Sequence, residues 1–502
     1  MAKRNIAKTM LSVSGIVILG KILGFIKQMV TANAFGATIQ TDLISISEGL
    51  IANTDYLLVQ ALSTAFIPIY IAAKAKGDKE AKGFVSNTIK IFFVVTVGIS
   101  LVFFTFSPLI ARLLAPSYSA ELSEELAKYI RIVSPILILI VEMAVFSALL
   151  KANESFVPGE LVGFNQSVIL IALVFALGNI YGPDTLVFSY FAYAVFNLIF
   201  LMVFSRKYWH IGKGNPFADE NVKQLLKMMG PLILGYSMIF VNQQVDKIIV
   251  SGLGEGTVTA MNYAAVLSNF VSTFIGSICG VLFTYIAKNI SEKKDGDAAE
   301  LTMSAAIQIG TILLPVSLLV MMNAKDIVTI VFGRGKFGAS AIESCSMALI
   351  GYGLMFVPYL VRELFSRFQY AYKDSKMPMI NSSISIVVNI VLSIALSKVM
   401  GVLGVTLATS ISVFVCAALN IWSSKKRNRE LMLHGIGEYI LRWTIGAAIC
   451  IALSLTGRNL LSEAHALIRF VAITVLSLGI YAIVLYPVIK SLLRNLLGKA
   501  IL

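Results

Sequence analysis

The chain has 502 residues, of which 57% are hydrophobic and only 14% are charged, and its mean hydropathy is +0.84. A soluble domain carries about 25% charged residues, so this composition excludes an ordinary soluble protein and predicts an integral membrane protein. The net charge of +14 would by itself suggest a nucleic-acid partner. The basic residues lie in short loops between apolar segments, however, which is the positive-inside pattern of membrane proteins, and we expect no nucleic acid.

The cysteines and histidines form no pattern typical of a metal site or a disulfide framework. The four cysteines stand singly in apolar stretches, and the three histidines are scattered near segment ends. The sequence has no phosphate loop, no nucleophile elbow and no HExxH motif. We therefore predict that the protein is not an enzyme and does not itself hydrolyse ATP.

Apolar segments long enough to cross a bilayer, which takes about 20 residues, recur along the whole chain. They predict an all-α polytopic membrane protein with about 14 transmembrane helices. The predicted spans lie near residues 10–35, 43–71, 87–111, 129–150, 158–180, 185–205, 228–252, 257–287, 302–323, 341–371, 378–398, 402–423, 438–457 and 466–489.

The loops between these spans alternate in charge, which predicts that both termini are cytoplasmic. The opposite loops are short and neutral or acidic, except for segment 325–337. The C-terminal "KSLLRNLLGK" is basic and amphipathic, as expected of a segment on the inner membrane surface. The basic loops are "KAKGDKEAKG" (74–83), "SRKYWHIGKG" (205–214), "KNISEKKDGD" (288–297), "YKDSK" (372–376) and "SSKKRNRE" (423–430).

Short stretches of the first half recur in the second half, in the same order and about 215–220 residues later. "FGATIQT" (35–41) resembles "LGEGTVT" (253–259), and "KANESFVP" (151–158) resembles "AYKDSKMP" (371–378). We predict two lobes of six helices each, 1–210 and 220–427, followed by helices 13 and 14 and the basic tail in 435–502. Because six is even, a pseudo-two-fold axis along the membrane normal should relate the lobes, as in many transporters. A channel is the alternative.

Ten chargeable residues lie well inside predicted spans, where a charge costs at least a few kcal/mol, and five of them are candidates for one cavity. Lys21 and Lys27 belong to the first span. Glu48 and Asp55 are seven residues apart and so share one helix face. Arg362 lies some ten residues from the inner loop, or about 15 Å along a helix. We predict that these side chains line a hydrated cavity for an anionic head group such as a pyrophosphate.

Pairing or snorkelling is the alternative interpretation of charges at this depth. Lys247 follows Asp246 directly and could serve only to neutralise it, and Arg362 is next to Glu363. Arg367 lies close enough to the inner surface to snorkel.

A second set of polar residues is spaced four apart on three predicted spans, and oxygen ligands from three helices suit a small hard cation such as sodium. Hydrogen bonding between helices is the alternative, and spacing alone favours it. The set consists of Asn242 and Asp246, Asn389 and Ser393, and Val405 and Thr409.

Several longer stretches together resemble a known family. They are "KILGFIKQMVTANAFGATIQTD" (21–42), "ALSTAFIPIY" (61–70), "KANESFVPGELVGFNQSVIL" (151–170), "GPLILGYSMIFVNQQVDKIIVSGLGEGTV" (230–258) and "VFGRGKF" (331–337). Over about residues 8–425 the chain is similar to the MurJ/MviN lipid II flippases of the multidrug/oligosaccharidyl-lipid/polysaccharide exporter superfamily.

The resemblance implies two lobes around a cationic cavity, with helices 13 and 14 forming a groove for a lipid tail. It implies that the chain moves lipid II, an undecaprenyl-pyrophosphate-linked saccharide used in peptidoglycan synthesis, from the inner to the outer leaflet of the bacterial cytoplasmic membrane. No group transfer occurs. Lys21 and Lys27 fall where the family has basic residues. The partners implied are lipid II and membrane lipids, with envelope-synthesis enzymes as a further candidate.

The family's sodium site carries over to Asp246, Asn389, Val405 and Thr409, with Ser393 where the family can have an aspartate. Because the sequence has no nucleotide site, we expect an ion gradient or the membrane potential to supply the drive.

Two departures make the cavity less cationic than the family's. Asp55 stands where helix 2 often has a basic residue, and "NYAAVL" (262–267) on helix 8 has no charge. They keep three alternatives open: a flippase for another lipid-linked oligosaccharide, a drug or ion exporter of the same superfamily, and a non-transporting scaffold for envelope-synthesis enzymes.

Overall fold

The computed structural model describes residues 2–428, 436–460 and 466–484, without the side chains of 2–14, 55, 234–236, 238–240, 436–442, 458 and 484. The basic tail from 485 onward, with its predicted place on the inner surface, lies outside the described residues. Throughout the described ranges the regular structure is helical. The helices are α1 (Ala2–Phe35), α2 (Ile39–Lys76), α3 (Asp78–Thr105), α4 (Ser107–Leu114), α5 (Ala120–Val133), α6 (Ile136–Ala152), α7 (Val157–Tyr181), α8 (Thr185–Ser205), α9 (Glu220–Ser251), α10 (Thr257–Ser291), α11 (Asp295–Met322), α12 (Ala324–Phe332), α13 (Ala339–Gly353), α14 (Phe356–Ala371), α15 (Lys376–Arg427), α16 (Ile436–Leu460) and α17 (Ala466–Val484).

These helices confirm the predicted all-α polytopic class. In the described part of the chain, nine helical stretches are long and apolar enough to cross a membrane, or ten if α13 and α14, bent by 43° at their break, count as one span. The stretches Val157–Ser205 and Lys376–Arg427 have 49 and 52 residues, more than twice the length that one crossing needs. The second is broken at Gly401, whose φ is +57°. With α9 and α16, a helix or helical half lies at each predicted span.

The chain folds into two compact units. Unit 1 consists of Met1–Thr259 and Arg334–Phe337, and unit 2 of Ala260–Gly333 and Gly338–Leu502. Helix α9 belongs to unit 1, where it packs against α2, and α16 belongs to unit 2, where it packs against α11 and α17. The boundary between the lobes predicted from the internal repeat lies earlier, between residues 210 and 220. Those lobes describe a repeat in the sequence, whereas the units describe contacts in the structure, so the lobes remain a prediction.

The two units share a local helix ending at the stretches that match in sequence. After α6, Glu154 has a φ of +60°, and the amide of Ser155 donates a 2.9 Å hydrogen bond to the carbonyl five residues earlier. After α14, Lys373 has a φ of +58°, and the amide of Asp374 makes the equivalent bond at 3.1 Å. Both are Schellman endings, which satisfy the last carbonyls of a helix. "KANESFVP" and "AYKDSKMP" therefore share backbone geometry as well as sequence.

Helices α16 and α17 are attached to the rest of unit 2 by polar contacts. The indole of Trp443 donates to the Thr311 hydroxyl at 2.9 Å, and the Tyr481 hydroxyl donates to the Thr311 carbonyl at 2.9 Å. The guanidinium of Arg469 binds both carboxylate oxygens of Asp326, with its Nε 3.1 Å from each. Because the Asp326 side chain is only 1% exposed, this ion pair compensates a buried carboxylate.

We predict that Arg469→Gln strongly destabilises unit 2. Removing one partner of a buried ion pair costs roughly 3–5 kcal/mol, because the other charge is left uncompensated. The measurement is thermal unfolding of the purified protein in detergent, with Arg112→Gln, an exposed arginine on α4, as the matched control. An Arg469→Gln midpoint equal to that of the control would show that the pair contributes nothing.

Candidate anion-binding site

Lys21 and Lys27 lie on α1 within Gly15–Phe35, a stretch long and apolar enough to span a membrane. Lys21 is exposed at the surface of the protein, whereas Lys27 is half-buried. Lys27 interacts electrostatically with Glu48, on the neighbouring helix α2. The structure therefore brings together one of the two predicted lysines and one of the two predicted carboxylates.

Glu48 is held in place by a hydrogen bond from a third helix. The hydroxyl of Tyr190, on α8, donates to Glu48 Oε2 at 2.6 Å, and the Tyr190 residue is 7% exposed. Glu48 also interacts electrostatically with Lys247, on α9. One carboxylate thus lies between cations from α1 and α9 and is oriented by a tyrosine from α8.

Sequence reasoning gave neutralisation of Asp246 as one possible role of Lys247 and identified neither its interaction with Glu48 nor Tyr190. In the structure the Lys247 ammonium lies against Gly49 of α2, so closely that a Cβ added to Gly49 would overlap Nζ. The signal for Lys247 in the sequence was its position well inside a predicted span. Nothing in the sequence indicated Tyr190, because its partner Glu48 is 142 residues away in the chain.

The two remaining residues of the predicted cavity lie elsewhere. Asp55 belongs to α2, but its side chain is outside the described part of the structure. Arg362 belongs to unit 2, where its Nη2 is 2.8 Å from Glu363 Oε1 and its guanidinium lies 4.6 Å from the Tyr359 ring centroid. Arg367 reaches the other oxygen of Glu363 at 3.4 Å. Arg362 is therefore ion-paired, and its role in binding a head group remains a prediction.

The predicted sodium ligands are divided between the units. Asp246 lies buried on α9 of unit 1. The other four lie on α15 of unit 2, where Ser393 Oγ donates to Asn389 Oδ1 at 3.4 Å and Thr409 Oγ1 donates to the Val405 carbonyl at 3.2 Å. Among the described residues, no three histidine, cysteine or acidic side chains are grouped to hold a metal. The predicted set has a single carboxylate and remains a prediction.

A buried carboxylate that sequence reasoning missed joins two loops of unit 1. Asp42, in the first turn of α2, is fully buried, and its Oδ1 accepts a 2.8 Å hydrogen bond from the amide of Thr259. Thr259 lies in the first turn of α10, where unpaired amides and the helix dipole favour an anion. Nearby, the amide of Ile39 donates to Glu255 Oε1 at 3.2 Å. Threonine and aspartate at predicted helix starts were the available signal.

Two glycines permit these loops to approach one another. Gly36 and Gly256 have φ angles of +70° and +75°. A Cβ added to Gly36 would overlap the carbonyl oxygen of Lys336, and one added to Gly256 would overlap that of Ala37. Lys336 also donates its amide to the carbonyl of Asn33 at 3.0 Å. The loops that follow α1 and α9 and the segment Arg334–Phe337 are thus in backbone contact.

We predict that Gly256→Ala lowers the stability of this loop cluster by roughly 1–3 kcal/mol, the usual strain of a left-handed non-glycine residue. Thermal unfolding in detergent would measure the loss. Gly83→Ala is the matched control, because Gly83 lies inside α3 with no atom within 4 Å of an added Cβ, and alanine favours the helix interior. Equal midpoints for the two variants would contradict the predicted close approach.

Comparison with known proteins identifies relatives over most of the chain. Residues 31–476 match the family model described as lipid II flippase MurJ. The chain is 27% identical over 428 residues to a probable lipid II flippase MurJ of Buchnera aphidicola, covering 82% of each chain. It is 24% identical over 433 residues to a probable lipid II flippase MurJ of Vibrio cholerae, covering 83% of this chain and 82% of the relative.

Solved structures share the fold. A structure described as lipid II flippase MurJ in an inward closed conformation superposes with a TM-score of 0.80 at 21% identity, covering 95% of this chain and all of the other. An inward-facing multidrug resistance transporter of the MATE family and the MOP superfamily superposes with a TM-score of 0.68 at 14% identity, covering 83% of this chain and 96% of the other.

Proposed function

The chain belongs to the lipid II flippase MurJ family, and we propose that it moves lipid II from the inner to the outer leaflet of the bacterial cytoplasmic membrane. Its membrane-spanning helices and its family make it a multi-pass inner membrane protein. The observation that carries the proposal is the match to the flippase family over residues 31–476. The lysines at membrane depth in unit 1 supply the chemistry that a pyrophosphate requires.

In this proposal the pyrophosphate of lipid II binds the ammonium groups of Lys21 and Lys27. Charge-assisted hydrogen bonds from ammonium groups to phosphate oxygens are among the stronger polar contacts in proteins. The saccharide crosses by alternating access, and no covalent bond changes. The loop charges support an orientation with both termini in the cytoplasm. The loops around Asp42 would then lie on the outer side.

The drive in this proposal is the membrane potential or a sodium gradient, since the sequence has no nucleotide-binding motif. One charge moved through 100 mV changes the free energy by about 2.3 kcal/mol. Asp246 would be the single acidic sodium ligand, with neutral oxygens from Asn389, Ser393, Thr409 and the Val405 carbonyl. Hard oxygen donors of this kind suit a small cation such as sodium.

We predict that Lys21→Ala and Lys27→Ala each reduce flipping about tenfold or more, the effect expected from losing a hydrogen bond to a charged group. The assay is cleavage of lipid II by an externally added head-group-cutting enzyme, in bacteria depleted of their own flippase and expressing this chain. Lys79→Ala, which removes an exposed lysine from the first turn of α3, is the matched control.

Failure of the wild-type chain to expose lipid II, with the protein verified in the membrane, would contradict the proposed substrate. It would favour another lipid-linked oligosaccharide. Full activity of the Lys21→Ala/Lys27→Ala double variant would contradict the binding role of these lysines but leave the substrate unchanged.

We predict that Asp246→Asn abolishes any dependence of flipping on the sodium gradient, because the amide removes the charge that holds the cation. The measurement is the flipping rate with and without sodium at constant membrane potential. Asp297→Asn, an exposed residue of α11, controls for the loss of an acidic group. Sodium dependence that survives in Asp246→Asn would exclude Asp246 as a ligand.

A further inference from the structure

We propose that Lys247 is a further anion-binding residue of unit 1 and that Glu48 supplies counter-charge to it while the site is empty. The inference rests on the proposed function, because the anion it assigns to the site is the pyrophosphate of a polyprenyl-linked substrate.

The missing side chain of Gly49 leaves space for the Lys247 ammonium against α2. A Cβ at Gly49 would overlap Nζ, and it would also lie 3.5 Å from Cε and 3.7 Å from Cδ of the same lysine. On the same face of α9, the amide of Gln244 donates to the Gly49 carbonyl at 3.5 Å. The side chain of Lys247 therefore runs along α2 and brings its charge next to Glu48.

Glu48 is shared by two lysines from different helices. It interacts electrostatically with Lys27 of α1 and with Lys247 of α9. In the described part of the chain, neither lysine lies within 4.0 Å of a carboxylate oxygen in an ion pair. Because Glu48 is shared by the two ammonium groups and pairs directly with neither, both lysines can bind a second anion.

The hydrogen bond from Tyr190 would keep the Glu48 carboxylate satisfied when a substrate anion binds the two lysines. The tyrosine hydroxyl donates to Glu48 Oε2 at 2.6 Å, and this bond does not depend on either lysine. Carboxylate and phosphate oxygens accept the same hydrogen bonds from an ammonium group. A pyrophosphate carries more negative charge than a carboxylate, so it would compete successfully for Lys27 and Lys247 while Glu48 stays bonded to Tyr190.

A purely structural role for Lys247 makes a different prediction. If Lys247 only neutralised Glu48, removing Lys247 from a chain whose Glu48 already carries no charge would leave anion binding unchanged. If Lys247 binds the anion, its removal should weaken binding even when Glu48 carries no charge. The comparison of Glu48→Gln with Glu48→Gln/Lys247→Gln therefore separates the two roles.

The experiment measures the affinity of the purified full-length protein for undecaprenyl pyrophosphate in detergent, with undecaprenol, which has no phosphate, as the control lipid. We expect Glu48→Gln to bind undecaprenyl pyrophosphate more tightly than wild type, because the competing carboxylate charge is gone. We expect Glu48→Gln/Lys247→Gln to bind it about tenfold more weakly than Glu48→Gln, as for loss of one hydrogen bond to a charged group. Lys223→Gln, exposed on the same helix, should match wild type.

Equal affinities of Glu48→Gln and Glu48→Gln/Lys247→Gln would overturn the inference. Gly49→Ala gives a second test that keeps every charge, because the added methyl displaces the Lys247 ammonium while alanine favours the helix. It should weaken binding of undecaprenyl pyrophosphate and leave undecaprenol unaffected. Wild-type affinity in Gly49→Ala would also count against the role of Lys247.

The two proposals fail in different ways. If the wild-type chain restores lipid II exposure in cells and the Lys247 variants bind normally, only the role of Lys247 is wrong. If the wild-type chain neither exposes lipid II nor distinguishes undecaprenyl pyrophosphate from undecaprenol, the proposed function is wrong and the inference falls with it.

Discussion

An ammonium or guanidinium group at membrane depth needs a counter-charge or water to compensate its lost hydration. Each unit of this protein meets that requirement with two cations around one carboxylate. In unit 1 Glu48 faces Lys27 and Lys247, and in unit 2 Glu363 faces Arg362 and Arg367 at 2.8 and 3.4 Å. In the proposed function, an anionic head group would add to the counter-charge of these cations. The constraint that makes these residues costly therefore also makes them suitable for binding an anion.

The same principle governs the polar groups that hold the helices of each unit. The backbone of a spanning helix satisfies its own hydrogen bonds, so side-chain contacts decide how helices join. Asp42 and Asp326 are buried carboxylates. Asp42 accepts a hydrogen bond from the first turn of α10, and Asp326 binds the guanidinium of Arg469. Thr311 accepts hydrogen bonds from both α16 and α17. Buried polar residues thus connect helices within each unit.

The sequence predicted the helices well and their contacts poorly, for a physical reason. Long apolar runs identify a span without its neighbours, so a helix or helical half lies at every predicted position. Partners at membrane depth depend on packing between distant segments. The interaction of Lys247 with Glu48 was therefore not predicted, and Tyr190 was missed. Pairing of Arg362 with Glu363 was foreseen as an alternative because the two are adjacent in the chain. The sodium ligands remain a prediction.

The most direct test of the account is the transfer of fluorescent lipid II across vesicles that contain only the purified protein, under an imposed membrane potential. The account predicts that the wild-type chain transfers lipid II faster than protein-free vesicles do, and that the Lys27→Gln/Lys247→Gln variant does not. Transfer by this double variant at the wild-type rate would show that the lysines around Glu48 do not carry the head group. A wild-type rate no faster than in protein-free vesicles would contradict flipping itself.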